Sequence, residues 1–179
     1  MSFKRAMTKC FQLTLAIIKP HAVKMPSALH SIRRKIISNN FYVLNTKEVM
    51  LAKADAERFY GEHKQKFFYN RLVTLMSSGP LHVHILAKDN AIQSWRELMG
   101  PTKVYMAQFT QPATIRGEHG LSDTRNAVHG SDSETSAARE IDFFFPGFNV
   151  DGWRERVAKV VSNETIMFDE DRFVHRFPT

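Results

Sequence analysis

Three apolar segments of strand period, separated by stretches of helical period, restrict this chain to a small set of mixed architectures. Leu13, Leu15 and Ile17 alternate with Thr14, Ala16 and Ile18, which reads as a buried strand. Pro20 lacks a backbone donor, stops the strand and leaves Lys19 at its carboxyl end. After Pro26, the residues Leu29, Ile32 and Ile36 mark an amphipathic helix with Arg33, Arg34 and Lys35 on its outer face, ended by Asn39 and Asn40. Residues 41–50 are rich in aromatic and β-branched side chains and predict a second strand. Two short helices are expected over 54–60 and 69–77, with Phe67 and Phe68 at their joint and a turn at residues 77–80. Leu81, Val83, Ile85 and Ala87 alternate with His82 and His84 in a third strand. Asp89 then stands as the cap of a helix carrying Ile92, Trp95 and Met99, closed by Gly100 and Pro101.

From 101 to 128 no period persists. With Pro112, Gly117 and Gly120 this stretch predicts a long functional loop, with a short fourth strand near 124–128. A last helix is expected over 133–145, where Pro146 and Gly147 stop it. The order is β-α-β-β-α-β, an α/β (α+β) ferredoxin-like fold: a four-stranded antiparallel sheet covered by helices on one face, with the long loop before the catalytic segment. Residues 1–12 are expected to form a flexible N-terminus, 13–146 the domain, and 147–179 a C-terminal extension that wraps the domain.

Composition narrows the functional classes. Cys10 is the only cysteine, so no intrachain disulfide can form, and a reducing compartment is expected. The longest apolar run is only strand-length, so no membrane association is expected. The cytoplasm is the expected location, with mitochondria as the alternative because residues 1–9 carry Lys4, Arg5 and Lys9 and no acid. The net charge of +7 invites nucleic acid or nucleotide polyphosphate. The basic residues are scattered, and no base-stacking aromatic motif is interleaved with them, which disfavours nucleic acid.

The most telling chemistry lies in residues 126–133, Asn-Ala-Val-His-Gly-Ser-Asp-Ser. Ser131 and Glu134 have the spacing of a capping box, so His129 is expected just outside a helix N-terminus, where free N–H groups attract anions. A nucleophilic histidine beside an anion site suggests phosphoryl transfer; a polar turn that only caps the helix fits the same letters. Glu140 shares the apolar face of the last helix and needs a partner if buried. His129 is about two turns away, and a carboxylate on one ring nitrogen would leave the other free to attack. A solvent-facing rim position for Glu140 is equally open. No glycine-rich phosphate loop is present, so Lys19, Arg96, Thr102, Arg116 and Arg125 are the candidates to meet phosphates. His82 and His84 have a spacing a metal could use, but no third ligand is evident, which favours packing.

Taken together, Ile18-Lys19-Pro20, Phe67-Phe68, Ser78-Gly79-Pro80, Met99-Gly100-Pro101-Thr102, Ile115-Arg116-Gly117 and the 126–133 segment resemble the nucleoside diphosphate kinases. Residues 121–126 and the long 102–116 segment look most like the divergent nucleoside diphosphate kinase 6 branch. The resemblance covers roughly residues 13–145. It implies ping-pong transfer of a γ-phosphate, mainly from ATP, to nucleoside diphosphates, with Mg²⁺ bound through the nucleotide phosphates and not by protein side chains. His129 matches the phosphorylated histidine, carrying phosphate on its pros nitrogen. Lys19, Tyr60, Ser131 and Glu140 match the residues that assist it. Lys19, Phe68, Arg96, Thr102, Arg116 and Asn126 match nucleotide-contacting positions, Phe68 being the aromatic on which the base stacks.

The chain departs from the family's pattern in three places. His21 stands where Asp is usual, and Asp123 stands where the base clamp is usually apolar. Residues 102–116 form a longer segment than in common members, whose loop contributes to hexamer contacts. These departures motivate the alternative of a low-activity nucleotide-binding regulatory protein. A homo-oligomer, or a protein partner at the 102–116 segment or the tail, is expected on the same grounds.

Overall fold

The computed structural model describes residues 11–160 and 166–177; the basic N-terminal stretch and Cys10 lie outside them. A four-stranded antiparallel sheet has the order β2-β3-β1-β4, from β1 (Gln12–Ile18), β2 (Tyr42–Val49), β3 (Leu81–Lys88) and β4 (Val128–Gly130). β1 pairs with β3 on one side and β4 on the other. It therefore has no solvent-facing edge, and a core on each side of the sheet explains why apolar residues occupy both of its faces.

Leu13, Leu15 and Ile17 pack on one face with Val83 and Ile85. That face is covered by α3 (Lys53–Phe59), α4 (Tyr69–Met76), α8 (Glu134–Phe144) and α9 (Val150–Val160), through Phe59, Val73, Met76, Ile141, Phe144 and Trp153. Ala16, Ile18 and Leu86 pack on the other face, beneath α1 (Pro20–Val23), α2 (Pro26–Ser38) and α5 (Ala91–Met99). Helices thus cover both faces and not one. The additions are the helices after β2 and after β4, which carry their own apolar stripes. Trp95 of α5 is fully buried, edge-on to Phe41 at 6.0 Å.

Residues 101–128 are not irregular. They contain α6 (Val104–Thr110) and α7 (Ile115–His119). The α5 start is held by Asn90 in the left-handed region at φ 53° with no side-chain cap, and not by Asp89. The helix expected over 133–145 is α8, capped by Ser133, whose hydroxyl accepts from the Ser136 N–H at 3.1 Å, so the capping role expected of Ser131 falls two residues later. The fourth strand also starts later than expected, which puts His129 within the sheet.

The C-terminal extension wraps the β2 edge. Its hairpin, β5 (Met167–Asp169) and β6 (Val174–Arg176), sends Phe173 into one core, while Trp153 and Phe177 pack against the other. The Val43 N–H donates to His175 Nδ1 at 2.9 Å, covering a backbone donor of the edge strand. His82 and His84 are buried beneath this hairpin. Arg33 donates to His82 Nδ1 at 2.9 Å and lies 4.6 Å above the Phe173 ring, so it is half-buried and not on an outer face. His84 bonds Thr46 Oγ1 at 2.6 Å. Both histidines serve packing, the reading favoured when no third ligand was evident in the sequence.

Candidate active site

The antiparallel register sets Ile17 opposite His129, so the end of β1 and the whole of β4 deliver Lys19 and His129 to one place. Trp95 Nε1–H donates to the His129 carbonyl at 3.1 Å, tying α5 to the same strand. Gly130 is required there, because a Cβ would overlap the Trp95 ring.

His129 Nε2 lies 3.1 Å from each Glu140 oxygen. The Glu140 carboxylate is 3% exposed. It also accepts from Ser131 Oγ at 2.7 Å, and Ser131 in turn accepts from the Leu15 N–H at 3.1 Å. The sheet thus orients the serine, the serine the carboxylate, and the carboxylate the imidazole. A carboxylate accepting from Nε2–H fixes the tautomer with its lone pair on Nδ1, and Nδ1 has no partner among the described residues. Glu140 is therefore not a rim residue.

Cations gather across from the imidazole. Lys19 Nζ donates to Asn126 Oδ1 at 2.6 Å and to the Thr124 carbonyl at 3.2 Å. Burial, with the Arg116 charge beside it, pulls its pKa down to about 7. Arg116 comes from α7 and donates to the carbonyls of Gly100 at 2.8 Å and Val128 at 3.3 Å, and to Thr102 Oγ1 at 3.3 Å. Burial and the nearby Arg96 bring its pKa to about 10. Asn126 Nδ2 donates to the Thr102 carbonyl at 3.4 Å. Gly100 holds φ +80° against Thr114, a turn that aims its carbonyl at Arg116. Tyr60 lies edge-on to His129 at 6.0 Å. Its hydroxyl is buried without a partner among the described residues, and burial plus the Glu140 charge push its pKa upward.

Lys19, Tyr60, Phe68, Arg96, Thr102, Arg116, Asn126, His129 and Glu140 all line one cavity of about 1040 Å³; Ser131 sits behind Glu140. Phe68 forms part of the outer wall, edge-on to His63 at 5.7 Å and Phe67 at 5.5 Å. Sequence reasoning missed other parts of this wall. Arg71 and Leu72 line it, and their spacing of three and four residues from Phe68 was the available signal. Tyr105 and Leu121 also line it, from a stretch whose period gave no warning. Asp123 does not face an aromatic partner as an apolar clamp would: its Oδ1 accepts from the Val104 N–H at 3.0 Å and starts α6. Arg125 lies near His21, where burial first, then the Lys19 charge and the Arg125 charge hold the imidazole pKa down.

An unpartnered ring nitrogen on a residue that lines a cavity with three arginines and a buried lysine is an arrangement able to receive a phosphoryl group. The nucleoside diphosphate kinase family model matches residues 12–150. The chain belongs to the nucleoside diphosphate kinase family.

Within that family it falls in the branch similar to nucleoside diphosphate kinase 6. It is 51% identical over 165 residues to nucleoside diphosphate kinase 6 of Xenopus tropicalis, covering 92% of each chain. It is 46% identical over 167 residues to the Homo sapiens protein of that name, covering 93% of this chain and 90% of that one. Its fold matches the crystal structure of the Aquifex aeolicus nucleoside diphosphate kinase with a TM-score of 0.74 at 36% identity, over 77% of this chain and 97% of that one. A halophilic nucleoside diphosphate kinase from Halobacterium salinarum, solved in complex with CDP, matches with a TM-score of 0.71 at 28% identity, over 81% and 99%. Nucleotide binding and a function of the nucleoside diphosphate kinase type follow from this membership. Among the described residues no helix is long and apolar enough to cross a membrane.

Proposed function

We propose that this chain transfers the γ-phosphate of a nucleoside triphosphate, mainly ATP, to nucleoside diphosphates through a phosphorylated His129. The observation that carries the reading is the Glu140 grip on His129 Nε2, which leaves Nδ1 as the free nitrogen of a ring lining the cationic cavity. In the first half-reaction Nδ1 attacks the γ-phosphorus. The N–P bond forms as the bond to the bridging β–γ oxygen breaks, and the diphosphate leaves. Charge developing on the transferred group and on the leaving oxygen is met by Arg96 and by Lys19 and Arg116, whose donors are already held in place. The imidazolium proton on Nε2 is stabilised by Glu140. A second diphosphate then attacks the phosphohistidine by the reverse path, and Nδ1 regains its lone pair.

Mg²⁺ fits this site as an ion carried by the nucleotide. Among the described residues no cluster of three His, Cys, Asp or Glu could hold a metal, and Asp123 and Glu140 are occupied by Val104 N–H and by His129 with Ser131. Bound to the phosphates, it would draw charge from their oxygens. Phe68 offers the base a face to stack on, which tolerates every base. The test is initial-rate kinetics with ATP and a varied diphosphate, with excess Mg²⁺. Parallel double-reciprocal lines, and loss of transfer in His129→Gln, are expected; transfer by His129→Gln at the rate of the intact chain would refute the assignment.

A second reading, a nucleotide-responsive regulatory protein of low turnover, draws on Asp123, which is committed to the α6 start in place of a second apolar wall for the base. Exposed Tyr105 and Phe109 on α6 are where a protein partner or a second copy would be sought. Turnover near background with calorimetric nucleotide affinity retained would favour this reading.

A further inference from the structure

Lys19 holds a buried ammonium with neutral acceptors only, Asn126 Oδ1 and the Thr124 carbonyl. The charged group that acts on it is a cation, Arg116 of α7; the neighbouring charges are cations too, Arg96 of α5 acting on Arg116 and Arg125 acting on His21. Carboxylates lining the same cavity are engaged elsewhere. Glu140 holds His129, Ser131 and, at 3.9 Å, Arg139. Glu62 pairs with Arg139, Asp123 takes the Val104 N–H, and Asp132 takes the Ser133 hydroxyl. Among the described residues no carboxylate pairs with Lys19.

His21, in the first turn of α1, stands where such a group could have been. Its Nε2 accepts from the Ala127 N–H at 3.2 Å, while the Lys19 N–H donates to the Ala127 carbonyl at 2.9 Å. Ala127 sits at φ 68°, a region unfavourable for a residue with a Cβ, so these two bonds hold a strained peptide between Asn126 and His129. Accepting at Nε2 requires the proton on Nδ1, which is buried. The ring is therefore an uncharged acceptor.

We propose that His21 is a positioning residue that fixes Ala127 as a neutral acceptor and leaves the Lys19 ammonium to be neutralised by substrate phosphate alone, so that nucleotide affinity falls steeply above neutral pH. The inference rests on the nucleotide reading above. In the free protein, burial and Arg116 release the Lys19 proton at about pH 7; bound phosphate oxygens supply the counter-charge that retains it. Affinity then declines toward tenfold for each pH unit above 7, on the order of 10²-fold by pH 9. A carboxylate at position 21 keeps the acceptor and adds a charge, and an amide keeps the acceptor alone.

The experiment is calorimetric binding of ADP with Mg²⁺ between pH 7 and 9.5 to the intact chain, to His21→Asp and to His21→Asn. The intact chain and His21→Asn should lose roughly 30- to 100-fold in affinity from pH 7 to 9, and His21→Asp less than about threefold. A flat profile for the intact chain, or flattening by Asn equal to that by Asp, overturns the proposal. Carbon-13 NMR of the Lys19 side chain in nucleotide-free protein provides a measurement that needs no variant. Titration near pH 7 supports the proposal, and titration above pH 10 overturns it. Should Lys19 titrate as expected while ADP fails to bind at any pH, the nucleotide reading falls and takes the affinity claim with it.

Discussion

A buried lysine without a carboxylate makes folding stability depend on pH within a definite window. The unfolded chain keeps the Lys19 proton up to its ordinary value of 10.5, whereas the folded chain gives it up at about 7. Between those values the unfolded state binds more protons, so stability rises with pH. Each pH unit of differential protonation is worth about 1.36 kcal/mol, so stability should climb by about 3 kcal/mol from pH 7 to 9.5. Other shifted groups leave this window clear. His21, His82, His84, His119 and His175 all have lowered values and change stability only below about pH 6.5. Arg116, at about 10, acts above the window, as does Tyr60, whose raised value removes stability only on the alkaline side of 10. The assay is urea denaturation at half-unit pH steps for the intact chain and for Lys19→Met. The variant should be more stable than the parent at pH 7 by a similar amount and nearly independent of pH up to 9.5. A parent profile that is flat over this range, or an identical slope in the variant, would refute the reasoning.

Three further outcomes follow from the packing and the relay behind the imidazole. Glu140→Gln keeps the volume but removes the charge that fixes the His129 tautomer, so turnover should drop by roughly 10²- to 10⁴-fold while thermal stability changes little; unchanged turnover would remove Glu140 from the proposed relay. Gly130→Ala drives a methyl into the Trp95 ring and should cost about 1–3 kcal/mol in denaturant unfolding; a neutral result would mean that β4 and α5 do not pack as described. Phe173→Ala removes the ring beneath Arg33 and beside His84 and should cost about 3 kcal/mol, read as a lower midpoint in thermal melts. An unchanged melt would contradict the seating of the hairpin.

The strands were legible because Leu13, Leu15 and Ile17, and later Val83 and Ile85, repeat at the period of a pleated chain. α6 was not. Its Tyr105, Met106 and Phe109 face solvent while Val104 and Ala107 are buried, so its large apolar residues mark the wrong face. α7 is five residues long and hangs on the Thr114 hydroxyl, which accepts from the Gly117 N–H, leaving no period to read. Ser131 and Ser133 both offer a hydroxyl near the start of α8, and local spacing chose the wrong one because the demand on Ser131 comes from Leu15, 116 residues away. The His129–Glu140 contact could be anticipated because both lie within eleven residues around a helix start. The Lys19–Asn126 contact joins residues 107 apart and depends on β1 pairing with β4, which no local pattern encodes. The seat of Arg33 was hidden for the same reason, since it depends on where the extension brings Phe173.

The most direct measurement is to mix the intact chain with γ-labelled ATP and Mg²⁺, remove the nucleotide, and locate the bound phosphate by phosphorus NMR and peptide mapping. The expected result is close to one phosphate per chain, acid-labile, on Nδ1 of His129, and released when a diphosphate is added. Phosphate on Nε2, on another residue, or absent from a folded sample that binds ATP would contradict the mechanism.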